Sequence, residues 1–134
     1  MSDAVIPPRV QRFIATHIDS IEKLEVLLLL RARADRDWTA HDISLELRIT
    51  DASAAARLED LAVRRLAEKH GTNPPTYRYR PASPDDGEVV SELQATYSTR
   101  RVSVISFIFS KPLDKVRGFA DAFRLKRDKD DENG

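Results

Sequence analysis

One segment constrains the fold of this chain more than any other, because it is apolar on nearly every side of a helix. It runs from Ile21 to Leu30, and its large apolar residues are Ile21, Leu24, Val26, Leu27, Leu28, Leu29 and Leu30. A helix with one apolar stripe packs on a surface, whereas a helix that is apolar all round has to be enclosed by other elements. We therefore predict a central buried helix that begins after a capping box formed by Asp19 and Glu22.

Composition narrows the classes of function. The chain has 134 residues, enough for one domain with a short extension, and its 22 basic and 22 acidic side chains cancel. A protein that binds nucleic acid through bulk charge is usually basic, so any DNA-binding charge must be local here. The absence of cysteine excludes disulfides and thiolate metal sites and agrees with a cytoplasmic location. We find no signal peptide, and the apolar runs are too short to span a membrane, so we expect no membrane partner.

Further helix signals lie on both sides of the central helix. Pro7-Pro8 precedes an amphipathic segment from Arg9 to His17, and proline suits the first turn of a helix. Thr39 to Asp42 predicts a second capping box before a short helix. Thr50 is a third cap candidate, followed by helical spacing of apolar residues from Asp51 to Arg65.

The middle of the chain predicts a β-hairpin. Two short extended segments, Leu66 to His70 and Thr76 to Arg80, flank a turn-rich link. The second segment ends in the strict alternation Tyr-Arg-Tyr-Arg. Because successive side chains of a strand point to opposite faces, Tyr77 and Tyr79 should share one face and the two arginines the other.

The C-terminal third predicts two helices. After a linker from Pro81 to Gly87, a long helix should run from Glu88 to about Ser110, although β-branched residues leave a strand over 101–109 as an alternative. Apolar spacing from Leu113 to Phe123 indicates a last amphipathic helix.

The order of these elements resembles a known family. The segment from Trp38 to Pro81, WTAHDISLELRITDASAAARLEDLAVRRLAEKHGTNPPTYRYRP, resembles the winged helix-turn-helix module of bacterial transcriptional regulators, and the order of elements over the whole chain is similar to the MarR type. The resemblance implies a mainly α fold with a small β-hairpin wing and flanking dimerisation helices. It divides the chain into an N-terminal arm and helix (1–18), the module (19–81) and C-terminal dimerisation helices (82–125). The charged tail, 126–134, is predicted to be disordered.

The resemblance also implies a function. It indicates a dimeric, DNA-binding transcriptional regulator that reads a pseudo-palindromic site in double-stranded DNA. The helix 51–65 would enter the major groove, and the wing 66–80 would contact phosphates. The residues expected to bind DNA are Thr39, Ser44, Arg48, Ser53, Ala56, Arg57, Arg64, Arg78 and Arg80.

Some of these positions favour an alternative function. DNA-binding relatives often carry a hydrogen-bond donor where this chain has Ala56, and alanine reaches a base edge only through a thymine methyl. Asp51 and Asp60 would face phosphates unfavourably. Arg57 and Arg64 also fit ordinary solvated helix charge, with Asp60 or Glu68 as candidate partners. The alternative is a winged-helix protein-interaction module, an adaptor or anti-activator that binds another regulator and not DNA.

The C-terminal helices and the first helix predict a homodimer. Apolar residues surround much of the segment 102–109, so something must cover both sides. The residues expected at the dimer interface are Phe13, Ile14, Leu93, Tyr97, Val104, Ile105, Ile108 and Phe109. The alternative is that they cover the central helix within one subunit.

Catalysis finds little support in the sequence. His17, His41 and His70 lie on separate elements without metal-ligand spacing, and the four glycines form no phosphate-binding loop. No carboxylate has the apolar surroundings that would tune it for acid–base work. We therefore predict no enzyme, no catalytic or metal site and no cofactor.

Overall fold

The architecture is a set of helices around α2 with a two-stranded hairpin. The structure, a computed structural model, describes residues 6–110. Its elements are α1 (Pro8–His17), α2 (Ile21–Ala32), α3 (Ala40–Leu47), α4 (Asp51–Val63), β1 (Ala67–His70), β2 (Thr76–Tyr79) and α5 (Pro84–Thr99), followed by a helix over 101–110, called α6 here. The mainly α fold with a hairpin wing is confirmed. The predicted helix Leu113 to Phe123 and the tail 126–134 lie outside the described residues.

The central position of α2 is confirmed. Leu24, Leu27 and Leu30 are completely buried, and α2 packs against α3, α4 and β2. The predicted cap is wrong by one residue, because the hydroxyl of Ser20 accepts the hydrogen bond from the Lys23 amide at 3.0 Å. Ser20 has an extended backbone, from which its hydroxyl reaches the first turn.

The helices α3 and α4 begin as predicted. Thr39 and Asp42 form a complete capping box, with amide-to-oxygen distances of 3.0 and 3.1 Å. Thr50 caps α4 by accepting a hydrogen bond from the Ser53 amide at 3.0 Å. The end of α4 comes two residues before the predicted Arg65, which adopts a left-handed backbone with φ of 63°.

The hairpin is also confirmed, with antiparallel register from Ala67 opposite Tyr79 to His70 opposite Thr76. Tyr77 is buried and Gly71 supplies a positive φ at the tip. The sequence did not predict that Trp38 would add a third extended piece: its backbone exchanges two hydrogen bonds with Tyr77, of 2.8 and 2.7 Å.

The predicted long C-terminal helix is wrong in two respects. It begins at Pro84 rather than Glu88, because Ser83 caps it, and it is interrupted at Arg100, whose backbone leaves helical angles. A straight helix over 84–110 would extend about 40 Å. The interruption allows Val104 and Ile108 to join the same core as the residues of α5. The strand alternative for 101–109 is wrong, since these residues are helical.

Candidate nucleic-acid interface

The helix-turn-helix is built on a tight turn between α3 and α4. Arg48 ends α3 with a left-handed backbone (φ 60°, ψ 47°), and the Ile49 amide donates to the Ser44 carbonyl at 3.2 Å. Ile43 and Leu58 anchor the two helices in the core. Because Thr50 immediately starts the next helix, the turn leaves the N-terminal half of α4 at the surface.

The side of α4 farthest from the core is apolar. Its core side carries Ala54, Leu58 and Leu61, and helical spacing places the opposite side at Ala52, Ala56 and Val63. We call these three residues the outer stripe. All three are exposed, and the Val63 side chain is 77% exposed. The outer stripe thus carries no hydrogen-bonding side chain.

Charged residues lie beside that stripe, on the flank that faces α1 and α2. We call Arg57, Asp60 and Arg64 the α2 flank. Arg57 donates to Glu22 at 2.9 Å, and Arg64 donates to Asp60 and to the Thr16 carbonyl, both at 2.7 Å. Both guanidinium groups are therefore held by the protein itself. For Arg64 the partner is Asp60, one of the partners that the sequence offered.

A buried lysine of α2, Lys23, pairs with this flank. The Lys23 side chain is only 2% exposed, and its ammonium contacts Asp19 at 3.0 Å and Asp60 more closely. Burial by itself would raise the pKa of Asp60, but Lys23 and Arg64 lower it below the ordinary value. The negative charge of Asp60, which the sequence suggested would repel phosphates, is matched by two cations.

The opposite side of α4 is attached to the wing. The Glu59 carboxylate accepts a short hydrogen bond from the Tyr77 hydroxyl and pairs with the Lys69 ammonium at 2.5 Å. Lys69 and Tyr77 lower the pKa of Glu59, while burial and Glu59 together raise the pKa of Tyr77. Tyr77 therefore connects the wing to α4, in line with a packing role for this tyrosine.

The two wing arginines differ in freedom. Arg78 forms a bidentate pair with Asp37, with nitrogen–oxygen distances of 3.0 and 3.3 Å. The Arg80 side chain is 69% exposed and its nearest carboxylate, on Glu68, lies at 3.8 Å. Asp37 and Glu22 give no local signal in the sequence, since each lies 35 or more positions from its arginine.

The remaining predicted DNA contacts lie around the start of α4. Arg48 is exposed, whereas Ser44 is buried and donates its hydroxyl to the His41 carbonyl at 2.7 Å, which does not favour a contact between Ser44 and DNA. Thr39 and Ser53 are half-buried. Exposed Asp51 lies 3.2 Å from the His41 ring, and the Ser44 hydroxyl and His41 both lower its pKa.

Most predicted interface residues already pack inside one chain. Six of them are buried without a partner subunit, namely Phe13, Ile14, Leu93, Tyr97, Val104 and Ile108. Ile105 is half-buried, and Phe109 is 65% exposed. This packing agrees with the alternative that these residues cover the core, and the homodimer stays a prediction.

Neither a metal site nor a membrane span emerges from the part of the chain that the structure describes. Within residues 6–110, histidine and carboxylate side chains form no group suited to holding a metal ion. Among the same residues, no helix has the length and apolarity needed to cross a bilayer.

Together, the helices, the helix-turn-helix and the hairpin define a winged-helix fold. Solved structures of similar fold are those of MepR, described as a transcription regulator of the Staphylococcus aureus multidrug efflux pump MepA. MepR itself has a TM-score of 0.52 at 12% identity and matches over 89% of this chain and 87% of its own. The MepR–DNA complex gives the same four values, and a MepR mutant bound to an oligodeoxyribonucleotide has a TM-score of 0.53, again at 12% identity over 89% and 87% of the two chains. No protein-family model matches the sequence, and no curated protein matches it significantly.

Proposed function

We propose that this protein is a dimeric, DNA-binding transcriptional regulator of the cytoplasm and not an enzyme. In the proposal, α4 enters the major groove, the hairpin wing lies along the backbone, and two subunits read the halves of a pseudo-palindrome. The observation that carries the proposal is the exposed N-terminal half of α4, with one accessible cation at the turn before it and a second at the base of the wing.

Those two cations are Arg48 and Arg80. Arg48 is exposed at the turn that precedes α4, and no ion pair is found for it within residues 6–110. Arg80 is exposed at the base of the wing, where its amide donates to the Leu66 carbonyl at 3.0 Å. Accessible arginines suit phosphate contacts, because a guanidinium group matches phosphate geometry. DNA-bound structures of MepR, a protein of similar fold, add support.

The dimer is supported by an apolar stripe on α6. Val102, Ile105 and Phe109 recur at intervals of three and four, which places them on one side of the helix. Val102 and Phe109 are 76% and 65% exposed. We propose that a second copy covers this stripe, since closed two-fold dimers are the commonest oligomers. Phe109→Asp should then convert the dimer to a monomer in light scattering, while a dimeric mutant would exclude this interface.

A salt titration of duplex binding tests DNA recognition directly. We expect the full chain to bind duplex DNA from a random pool at low salt, with affinity that falls steeply as salt rises. The double substitution Arg48→Ala with Arg80→Ala should flatten the salt dependence by about two phosphate contacts, a slope change of about 1.8. Arg12→Ala, which removes an exposed charge from α1, is the matched control. Unchanged binding by the double mutant would contradict the proposed contacts.

A protein-interaction module is the second candidate, and the outer stripe favours it. Ala52, Ala56 and Val63 offer a docking protein apolar contact, and the arginines of the α2 flank are already paired. This candidate predicts no duplex binding even at low salt. It also predicts that a charged residue in place of Ala56 abolishes capture of a specific regulator by the immobilised protein.

A further inference from the structure

We propose that α4 selects thymine-containing sites by contact with thymine methyl groups, and that Ala52 and Ala56 are the residues that read them. The inference rests on the proposed DNA-binding function and adds the class of sequence that the protein prefers. It follows from which side chains of α4 are accessible and which are held elsewhere.

The polar side chains of α4 that could read base edges are engaged. Arg57 is held by Glu22 at 2.9 Å, and Glu59 is held by Lys69 at 2.5 Å and by Tyr77. Asp60 lies between Lys23 and Arg64. Breaking such pairs to reach a base would leave a partly buried charge unpaired, which is costly. Arg57 and Glu59 are therefore not available to form direct hydrogen bonds with base edges.

Two less restricted polar residues remain near the start of the helix. Ser53 is half-buried, and a serine hydroxyl contacts any base, so it gives little discrimination. Asp51 is paired with His41 at 3.2 Å, and its charge disfavours the DNA backbone. Neither residue supplies a donor that is specific for one base.

Alanine has one specific partner in the major groove. The thymine C5-methyl is the apolar group among the major-groove base edges, and alanine is among the residues that contact it. Ala52 and Ala56 are exposed in the N-terminal half of α4, the half that faces bases in helix-turn-helix complexes. They lie about 6 Å apart along the helix axis. With a base-pair rise of about 3.4 Å, they would contact methyl groups about two base pairs apart.

Removal of single methyl groups from DNA tests this without altering the protein. A duplex selected from a random pool by the full chain is synthesised with deoxyuridine in place of thymidine, one position at a time. Burial of one methyl group corresponds to a threefold to fourfold change in affinity, roughly. We expect losses of that size at two positions about two base pairs apart in each half-site, and no loss at positions outside the contact region.

Protein variants then assign each methyl to its residue. Ala56→Ser places a hydroxyl against the methyl and should abolish the preference for thymine over uracil at one of the two positions. Val63→Ser is the matched control, because it lies on the same stripe beyond the N-terminal half of α4 and should leave both preferences intact. If Ala56→Ser keeps both preferences as well, Ala56 is not a reader and the assignment is wrong.

The outcomes separate this inference from the proposed function. Equal binding of thymidine and deoxyuridine duplexes would overturn the methyl readout and leave DNA binding standing. Failure to enrich or bind any duplex at low salt would overturn both and favour the protein-interaction module. A selected site with guanine at both contacted positions would also contradict the inference, because guanine has no methyl to read.

Discussion

The α2 flank and the outer stripe lie on the same helix, yet they present opposite chemistry to a partner. The flank carries Arg57, Asp60 and Arg64, and each of their charges is matched by a group of this chain. The stripe carries only apolar side chains that nothing covers within residues 6–110. The difference shows that charged side chains counted on a helix are not all available to a binding partner, because some are already paired within the protein.

The contrast has a structural consequence. The flank attaches α4 to α2 through the buried Lys23 and to α1 through Arg64 and the Thr16 carbonyl, so charge there sets the position of the helix. The stripe contributes little to that position, since its side chains are exposed. Substitutions on the flank should therefore change stability, and those at exposed positions should change binding.

The largest effect is expected when the flank loses its buried cation. Lys23→Ala should lower the free energy of unfolding by about 3 kcal/mol, because it removes one of the two cations that pair with the partly buried Asp60 carboxylate. Urea denaturation measures the change. Lys69→Ala removes the partly exposed partner of Glu59 and should cost less than about 1 kcal/mol. Similar losses in the two variants would show that burial does not distinguish these lysines.

A smaller effect, on DNA affinity, is expected when Arg57 of the α2 flank loses its ion pair with Glu22. Glu22→Gln should free Arg57 for a phosphate and raise duplex affinity roughly fivefold at 50 mM salt, with a salt slope steeper by about 0.9. Fluorescence anisotropy over several salt concentrations gives both quantities. Glu46→Gln, at an exposed position of α3, controls for the loss of one negative charge. If both variants bind alike, Arg57 is not restrained by its ion pair.

The wing also contains one paired and one exposed arginine, Arg78 and Arg80. Arg80→Ala should weaken binding about threefold more at 50 mM than at 200 mM salt, as expected for one lost phosphate contact. Arg78→Ala should change this ratio less, because Asp37 already holds the guanidinium group. The same titration serves both variants, and a larger effect at Arg78 would reverse our assignment of the free wing cation.

The smallest effect is the dependence of stability on pH that is expected from His17, which lies beside Arg64 of the α2 flank. Burial and Arg64 lower the pKa of His17 below 6.5, so the unfolded chain binds more protons than the folded one between the two pKa values. Stability should therefore fall as pH drops below about 6.5, well above the range in which the carboxylates titrate. In His17→Asn, urea denaturation at pH 7.5 and 5.5 should show a weaker pH dependence. A dependence as steep as in the original chain would assign the effect elsewhere.

Local signals in the sequence were sufficient for most of the fold. The caps at Thr39 and Thr50 depend on contacts three residues apart, and the alternation around Tyr77 depends on strand geometry. The interruption at Arg100 was missed because no proline or glycine marks it in the sequence, and the residues after it join a core made by distant helices. The Ser20 cap was missed because Asp19 is an equally good cap by composition.

The candidate site was less accessible to sequence reasoning. The i to i+4 pair of Asp60 and Arg64 is readable from spacing, but Glu22 with Arg57 spans 35 positions and Asp37 with Arg78 spans 41. Such pairs depend on how helices and loops pack. The sequence could therefore show which arginines exist on α4 and the wing, but not which of them were already occupied.

Both helices of the helix-turn-helix end near a residue that is conformationally disfavoured. Arg48 and Arg65 adopt φ values of 60° and 63°, a region that costs non-glycine residues roughly 1 kcal/mol or more. Glycine would relieve that cost at either place. It would also delete an exposed cation next to the end of α3 or of α4. Substitution by glycine at these two positions should therefore raise thermostability. The same substitutions should weaken binding of the protein to a polyanion, because each removes an exposed positive charge.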